Sequence, residues 1–251
     1  MKPKLGLQLY SLREQLSVNF EKTLEEVALA GYDGVELAGL YNQKTEHVAK
    51  LLQDLNLKLV AMHCDVLTDE GLKQSLKEAE VLNCENLICP WVVSDTFASE
   101  KGIRLFAEKL NNVNQQIKAH GKNLLFHNHD FEFKRINGEC AFDLFAAQLD
   151  ASIYFELDAY LAAVGGADPI EIMTSFPNRI KMLHLKDGLI FPPNPNMAVG
   201  DGNMNYTAIL AALPLSVSWL FVELEDCATD MFEAVRKCVR NLAKITSPII
   251  T

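Results

Sequence analysis

The stretch Leu124-Leu125-Phe126-His127-Asn128-His129-Asp130-Phe131-Glu132-Phe133 turns from an apolar run into two histidines, an amide and carboxylates. A strand buried on both faces stays apolar until it leaves the sheet, so the polar residues begin where a strand opens into a loop. Loops held by a rigid scaffold are where binding and catalytic groups collect. The same transition recurs along the chain. Leu5–Leu9 carries Gln8 and precedes Arg13, Gly34–Leu37 carries Glu36, Leu57–Met62 runs into His63, and Leu87–Cys89 leads to Trp91. Later, Ile153–Leu157 ends at Asp158, Ile180–Leu185 holds His184 and precedes Lys186, and the run from Trp219 ends in Glu223, with Glu225 beyond. Four of the six histidines fall at such ends, while His47 and His120 lie on helical stretches.

Taken singly, each residue has a plain explanation. A histidine beside an apolar run is commonly a hydrogen-bonded core residue, an aspartate after a strand is commonly a helix cap, and Lys186-Asp187 reads as a solvated turn. Recurrence at one end of most strands weakens those explanations, because independent caps and core histidines would be spread over both ends. Asp158, His184, Glu223 and a fourth group from the fifth strand offer mixed nitrogen and oxygen donors. That mixture suits Mn²⁺, Co²⁺, Zn²⁺ or Fe²⁺ better than Ca²⁺. Such an ion polarises a carbonyl or hydroxyl and stabilises a developing enediolate, while flanking carboxylates or histidines move the proton. Lys186, two residues past His184, shares its side of the strand and can neutralise oxyanion charge.

The elements that must position these groups alternate from end to end. Helices are expected after Asn19 (Phe20, Leu24 and Val27 on one face, closed by Gly31), after a Thr45 cap, and after Thr68. The clearest has Ile103, Phe106, Leu110, Val113 and Ile117 stepping by three and four before Gly121. Further helices follow around Phe142–Leu149, at Asp168-Pro169, around Tyr206–Leu213, and after an Asp230/Glu233 capping box. Eight strand–helix units in 251 residues, without a linker or composition shift, predict a parallel eight-stranded (β/α)8 TIM barrel as a single domain over 1–251. A doubly wound sheet is the alternative, but the first turn, Tyr10-Ser11-Leu12-Arg13, has no phosphate-binding glycines. Gly200-Asp201-Gly202 does not establish a phosphate site, and the proline-rich loop Gly188–Gly202, with Pro192, Pro193 and Pro195, reads equally as a lid or a rigid crossover.

Composition narrows the function. A formal net charge of −10 disfavours nucleic acid or anionic membrane as partner, since both need a basic surface. No apolar run is long enough to span a membrane, and the N-terminus lacks a signal-peptide pattern. Six cysteines without a C-x-x-C pair read as thiols of a reducing compartment. A cytoplasmic enzyme is expected.

The segments Gln8–Arg13, Gly31–Glu36, His127–Phe133, Leu157-Asp158 and His184–Asp187 resemble the xylose isomerase-like TIM-barrel superfamily over nearly the whole chain, and within it the sugar phosphate isomerases/epimerases. The resemblance implies a divalent metal held from strands five to eight, manganese first, with cobalt, zinc, iron or magnesium as alternatives. Asp158, His184 and Glu223 match the second, third and fourth ligands. Ketose epimerases of the superfamily carry a glutamate as the first ligand, and two glutamates exchange the proton on opposite faces of the substrate. Here His127 stands in that place; it can ligate but cannot be the second base, which leaves His129 or Glu132 for that role. Glu36, His63, Trp91 and Lys186 match positions lining the sugar pocket, with Arg13 added from the first strand end.

The resemblance thus implies a sugar or sugar phosphate isomerase/epimerase of carbohydrate metabolism working through an enediolate, with Glu223 as ligand and base. A small-molecule sugar is its partner, and a homo-oligomer is left open. A lyase acting on a keto-inositol or keto-glycoside, as in inosose dehydratases, is the alternative, and a non-catalytic sugar-binding barrel is a third reading. Apurinic endonucleases share the superfamily, but the acidic balance and the few histidines argue against that activity.

Overall fold

Short runs of leucine, isoleucine, valine and phenylalanine become strands because both faces of each are covered, one by the barrel interior and one by helices. In a computed structural model, which describes residues 3–191 and 195–246, these are β1 (Lys4–Gln8), β2 (Gly34–Leu37), β3 (Lys58–His63), β4 (Asn86–Cys89), β5 (Asn123–His127), β6 (Tyr154–Asp158), β7 (Ile180–Leu185) and β8 (Trp219–Val222). All pair in parallel with their neighbours, and β8 closes on β1 with Leu7 opposite Val222, completing a (β/α)8 barrel.

Alternation along each strand sorts residues into two layers. Outward, Phe126 of β5 packs on Phe97, Phe106 and Phe145 with ring centroids 6.4, 5.9 and 4.9 Å away. That anchoring turns its neighbours Leu125 and His127 inward. The barrel floor is an apolar cluster of Val60, Ala61, Ile88, Leu125, Met182 and Phe221, with Tyr154 and Trp219 against it. Gly6 and Gly34 make room for the rings of β8. A Cβ at Gly6 would lie 2.3 Å from Phe221, and one at Gly34 would lie 2.9 Å from Trp219.

The helices follow their sequence signals closely. Asn19, Thr68, Ser99 and Asp168 each accept a backbone N–H at a helix start, and Gly31 and Gly121 take the positive φ that ends two helices. Three local expectations need correction. The helix expected to start at a Thr45 cap spans Thr45–Asp54 but is preceded by Lys44, whose carbonyl accepts from Val48, so Thr45 is already helical. The first strand stops at Gln8, since Leu9–Leu12 curls into a 3₁₀ turn in which the Gln8 side chain accepts from the Tyr10 N–H. Only half of the Asp230/Glu233 box forms: Asp230 accepts from the Glu233 N–H at 3.0 Å, while the Glu233 carboxylate turns to Arg236.

Lys186-Asp187 is not a solvated turn. Lys186 is 1 % exposed and Asp187 is fully buried. The Asp187 carboxylate accepts from the backbone N–H groups of Gly188, Gly200 and Met204 at 2.9, 2.8 and 3.1 Å. A side-chain carboxylate therefore already occupies the Gly200–Gly202 turn, leaving no room for a phosphate. The loop after β7 is pinned at both ends by Asp187. Asn196 adds a further tie by accepting from the Glu225 N–H at 2.8 Å. Pro192 and Pro193 lie outside the described residues.

Candidate metal centre

Four consecutive strands carry polar residues two apart at their C-terminal ends: His127 and His129, Glu156 and Asp158, His184 and Lys186, Glu223 and Glu225. A two-residue step keeps both members on one face, so the four strands deliver their donors to one place. His127, Asp158, His184 and Glu223 each offer a ligand atom, all within 4.8 Å of one another and all on buried residues.

Local structure fixes each donor. Asp158 caps the helix Ala159–Val164 through Oδ1, which accepts from the Leu161 N–H at 2.7 Å. Its other oxygen faces the Lys186 ammonium at 3.1 Å. Asn128 ties the end of β5 to the end of β6, accepting from the Asp158 N–H at 2.9 Å and donating to the Asp158 carbonyl at 3.2 Å. His184 Nδ1 lies 2.8 Å from Glu223 Oε2, and His127 Nε2 lies 4.0 Å from the same oxygen. Asp158 Oδ2 and His127 Nδ1 are buried and make no hydrogen bond, their nearest charged neighbours being the Lys186 ammonium at 3.1 Å and Glu156 Oε2 at 3.3 Å. An unsatisfied buried polar atom costs about 1–3 kcal/mol, and two imidazoles with two carboxylates are a donor set that a first-row divalent cation satisfies. The residues fit a metal.

Below these donors lies a second polar cluster. Glu156, fully buried, places Oε2 at 2.8 Å from His63 Nε2, 3.1 Å from His184 Nε2 and 3.3 Å from His127 Nδ1. Glu36, also fully buried, accepts from the Gln8 amide and lies 3.0 Å from His63 Nε2 and 3.1 Å from His184 Nε2. His63, His127, Glu156 and His184 therefore form another group of suitable donors. It shares both His127 and His184 with the first, and filling both groups would require two bridging imidazoles. Were an ion held by the upper group, Glu156, 3.1 Å from His184 Nε2, would supply the carboxylate–histidine support that metal ligands commonly have.

The charges follow from this packing. Burial alone would raise the Glu223 carboxyl, but the Lys186 ammonium and His184 outweigh it and hold it well below the usual range. Burial and the neighbouring His184 push His127 well below the ordinary histidine range, which leaves a neutral imidazole. Burial and the adjacent Glu36 raise Glu156, and burial raises Asp158 against the pull of Lys186. His184 is shifted up, because Glu156 and Glu36 overcome its burial.

A hollow of about 640 Å³ opens above the donors, lined by His63, Trp91, His127, His129, Lys186 and Glu223 among others. Trp91 is 54 % exposed at its mouth. Three residues expected in this hollow lie elsewhere. Glu36 is beneath it, as described. Arg13 lines an adjoining hollow. Glu132 folds back behind His129, fully buried, and accepts from the His129 N–H at 2.9 Å with its other oxygen 3.9 Å from His129 Nδ1. The turn after β5 brings Glu132 to His129 and not to the cavity. Glu156 is the residue that sequence reasoning missed. Its signal was present, since the two-residue period of Tyr154-Phe155-Glu156-Leu157-Asp158 puts Glu156 on the face of Asp158.

Comparison with known proteins agrees with the barrel fold. A sugar phosphate isomerase/epimerase from Parabacteroides distasonis has a solved structure that superposes with a TM-score of 0.82 at 27 % identity, covering 96 % of this chain and 98 % of that one. A solved IOLI protein with a bound zinc atom shares the fold at 15 % identity, with a TM-score of 0.75 and 98 % of each chain covered. The inosose dehydratase of Clostridium beijerinckii is 24 % identical over 190 residues, 67 % of this chain but only 63 % of that protein's length. The family model described as xylose isomerase-like TIM barrel matches residues 24–241, most of the barrel and all four upper donors, and the chain belongs to that family.

Proposed function

We propose that this chain is a metal-dependent enzyme that isomerises or epimerises a keto- or aldo-sugar, free or phosphorylated, through an enediolate. The observation that carries the reading is the convergence of His127, Asp158, His184 and Glu223 within 4.8 Å beside a hollow of sugar-accommodating size. Support for a divalent cation comes from that donor set and from the zinc held by the solved IOLI protein, while the family resemblance puts Mn²⁺ first. When bound, the cation supplies Lewis acidity that polarises the substrate carbonyl and lowers the energy of the enediolate charge.

The chain's own residues do the rest. Glu223, kept ionised by Lys186 and His184, faces the hollow and takes the proton from the carbon beside the carbonyl. Lys186, 3.0 Å from Glu223 and 3.1 Å from Asp158, is held in place to offset oxyanion charge. His129 lines the hollow and moves the second proton, while Glu132, behind it, fixes the position of His129. His63 is at the floor of the hollow, and Trp91 with Pro90 and Tyr10 offers an apolar wall to a sugar face. A cytoplasmic setting and a small sugar as partner complete the reading.

One observation favours lyase chemistry as a second reading. His127 stands where ketose epimerases have a glutamate, so proton exchange between a strand-five carboxylate and Glu223 is not available. Loss of a leaving group needs one abstraction, by Glu223, and one proton delivered to the departing oxygen, for which His129 is available in the same hollow, and the inosose dehydratase relatives point the same way. The test is to incubate the Mn²⁺-loaded protein with keto-sugars in D₂O and follow the products by NMR and mass. Deuterium entering the carbon next to the carbonyl supports the first reading, and loss of water or an aglycone supports the second. If neither occurs with any sugar, the catalytic reading fails.

A further inference from the structure

Beneath the upper donors, His63, His127, Glu156 and His184 offer four ligand atoms within 4.8 Å of one another. Glu156 Oε2 is the hub, 2.8 Å from His63 Nε2, 3.1 Å from His184 Nε2 and 3.3 Å from His127 Nδ1. The two shared histidines turn opposite ring nitrogens to the two groups. His184 aims Nδ1 at Glu223 and Nε2 at Glu156, at 2.8 and 3.1 Å. His127 aims Nε2 at Glu223, at 4.0 Å, and Nδ1 at Glu156. That Nδ1 and the second Glu156 oxygen, Oε1, are buried without a hydrogen bond.

We propose that the lower group is a second metal position, selective for Zn²⁺, that excludes the upper ion: zinc held there switches the catalytic centre off. The position stands on its own donors, while the switching rests on the metal reading above. Donor type is the first reason. Three imidazoles with one carboxylate suit zinc, whereas the upper pair of imidazoles and pair of carboxylates also suits Mn²⁺. Shape is the second. Four ligands at ~2.0–2.2 Å around a tetrahedral zinc stand about 3.3 Å apart, and the hub distances of 2.8, 3.1 and 3.3 Å are already near that edge. All but His63 are buried, which gives the closed surroundings of a zinc ion with four protein ligands. Charge is the third. Glu36, with an oxygen 3.0 Å from His63 Nε2 and 3.1 Å from His184 Nε2, joins Glu156 as a second buried carboxylate, and one divalent cation balances both. Exclusion follows from the rings. A neutral imidazole has one acceptor nitrogen, so His127 and His184 serve one group at a time.

The experiment titrates the metal-stripped full chain with Zn²⁺ against a chromophoric chelator, and with Mn²⁺ followed by electron paramagnetic resonance. The parent is compared with Asp158→Ala and His63→Gln, since Asp158 belongs only to the upper group and His63 only to the lower. In the parent, one equivalent of Zn²⁺ is expected to release the bound Mn²⁺. Asp158→Ala, which loses Mn²⁺, is expected to keep its zinc affinity within about tenfold of the parent. His63→Gln is expected to lose more than about tenfold in zinc affinity while holding Mn²⁺ within about threefold. A folding defect would not separate the two metals in opposite directions. No tight zinc binding by the parent, or Zn²⁺ and Mn²⁺ bound side by side in it, overturns the proposal. So does a larger zinc loss in Asp158→Ala than in His63→Gln, or an equal loss of both metals in either variant. A parent that binds zinc in the expected pattern but no Mn²⁺ contradicts the metal reading of the upper group and keeps the lower position. A parent that binds Mn²⁺, with zinc lost only in Asp158→Ala, does the reverse.

Discussion

The two halves of the barrel treat the same position differently. At the C-terminal ends of β5 to β8, the lower inward residues are His127, Glu156, His184 and Glu223, and the residues two further on are His129, Asp158, Lys186 and Glu225. On β1 to β4 the lower residues are Gln8, Glu36, His63 and Ile88, and two further on come Tyr10, Ala38, Asp65 and Pro90, all of which line the hollow. One half is ionic through two tiers, while the other is polar in the lower tier except at Ile88 and mostly apolar in the upper. A sugar has a polar edge and apolar faces, so on the proposed function the division would seat it with its oxygens toward β5–β8 and a face toward Tyr10, Pro90 and Trp91. The lower tier of β1–β3 serves the other half: Glu36 and His63 reach across the barrel to His184 and Glu156.

Substitutions on the two halves should therefore differ in kind. Glu223→Gln, in the ionic half, is expected to lower kcat by about 10²–10⁴ with the substrate KM little changed, as read by steady-state kinetics. Glu156→Gln removes support from His184 without removing an upper donor, so metal affinity should fall about 10–100-fold in a competitive chelator titration. A larger loss for Glu156→Gln than for Asp158→Ala would move the ion to the lower group. In the apolar floor, Gly6→Ala drives a methyl against Phe221 and should destabilise the fold by about 1–3 kcal/mol in urea unfolding, with metal stoichiometry intact.

The smallest effect is in pH. Burial opposes charge on His63, but Glu36 and Glu156 outweigh it and push its pKa up to about 10. A histidine raised in the folded state contributes stability that is complete below its unfolded value of about 6.5 and is lost as pH rises through its folded value. The metal-free protein should lose that contribution between about pH 6.5 and about 10, and His63→Gln should flatten this part of a Tm-versus-pH profile.

The parts of this design written in local chemistry were legible in the sequence. Asn19, Thr68 and Asp168 announce helices because capping needs only a side chain and the next turn, and the strand ends announce the site because apolar runs stop there. What depended on three dimensions was not legible. Glu156 looked like a strand interior, because the charges that accept it, His63 and His184, come from β3 and β7. Glu132 looked available until the turn after β5 folded it behind His129. The role of Asp187 was not legible because the backbone amides around it, apart from that of Gly188, are not its neighbours in sequence. The hairpin Arg135–Ile136 with Glu139–Cys140, turned by Asn137 and Gly138 at positive φ, has strands of two residues each, too short to show an alternating pattern.

The central claim is that four side chains from β5 to β8 hold one divalent cation. Mn²⁺ titration of the metal-stripped chain, followed by electron paramagnetic resonance, tests it most directly, with Asp158→Ala beside the parent. A single tightly bound Mn²⁺ per parent chain and its loss in the variant is the predicted result. No tight binding by the parent, or undiminished binding by Asp158→Ala, contradicts it.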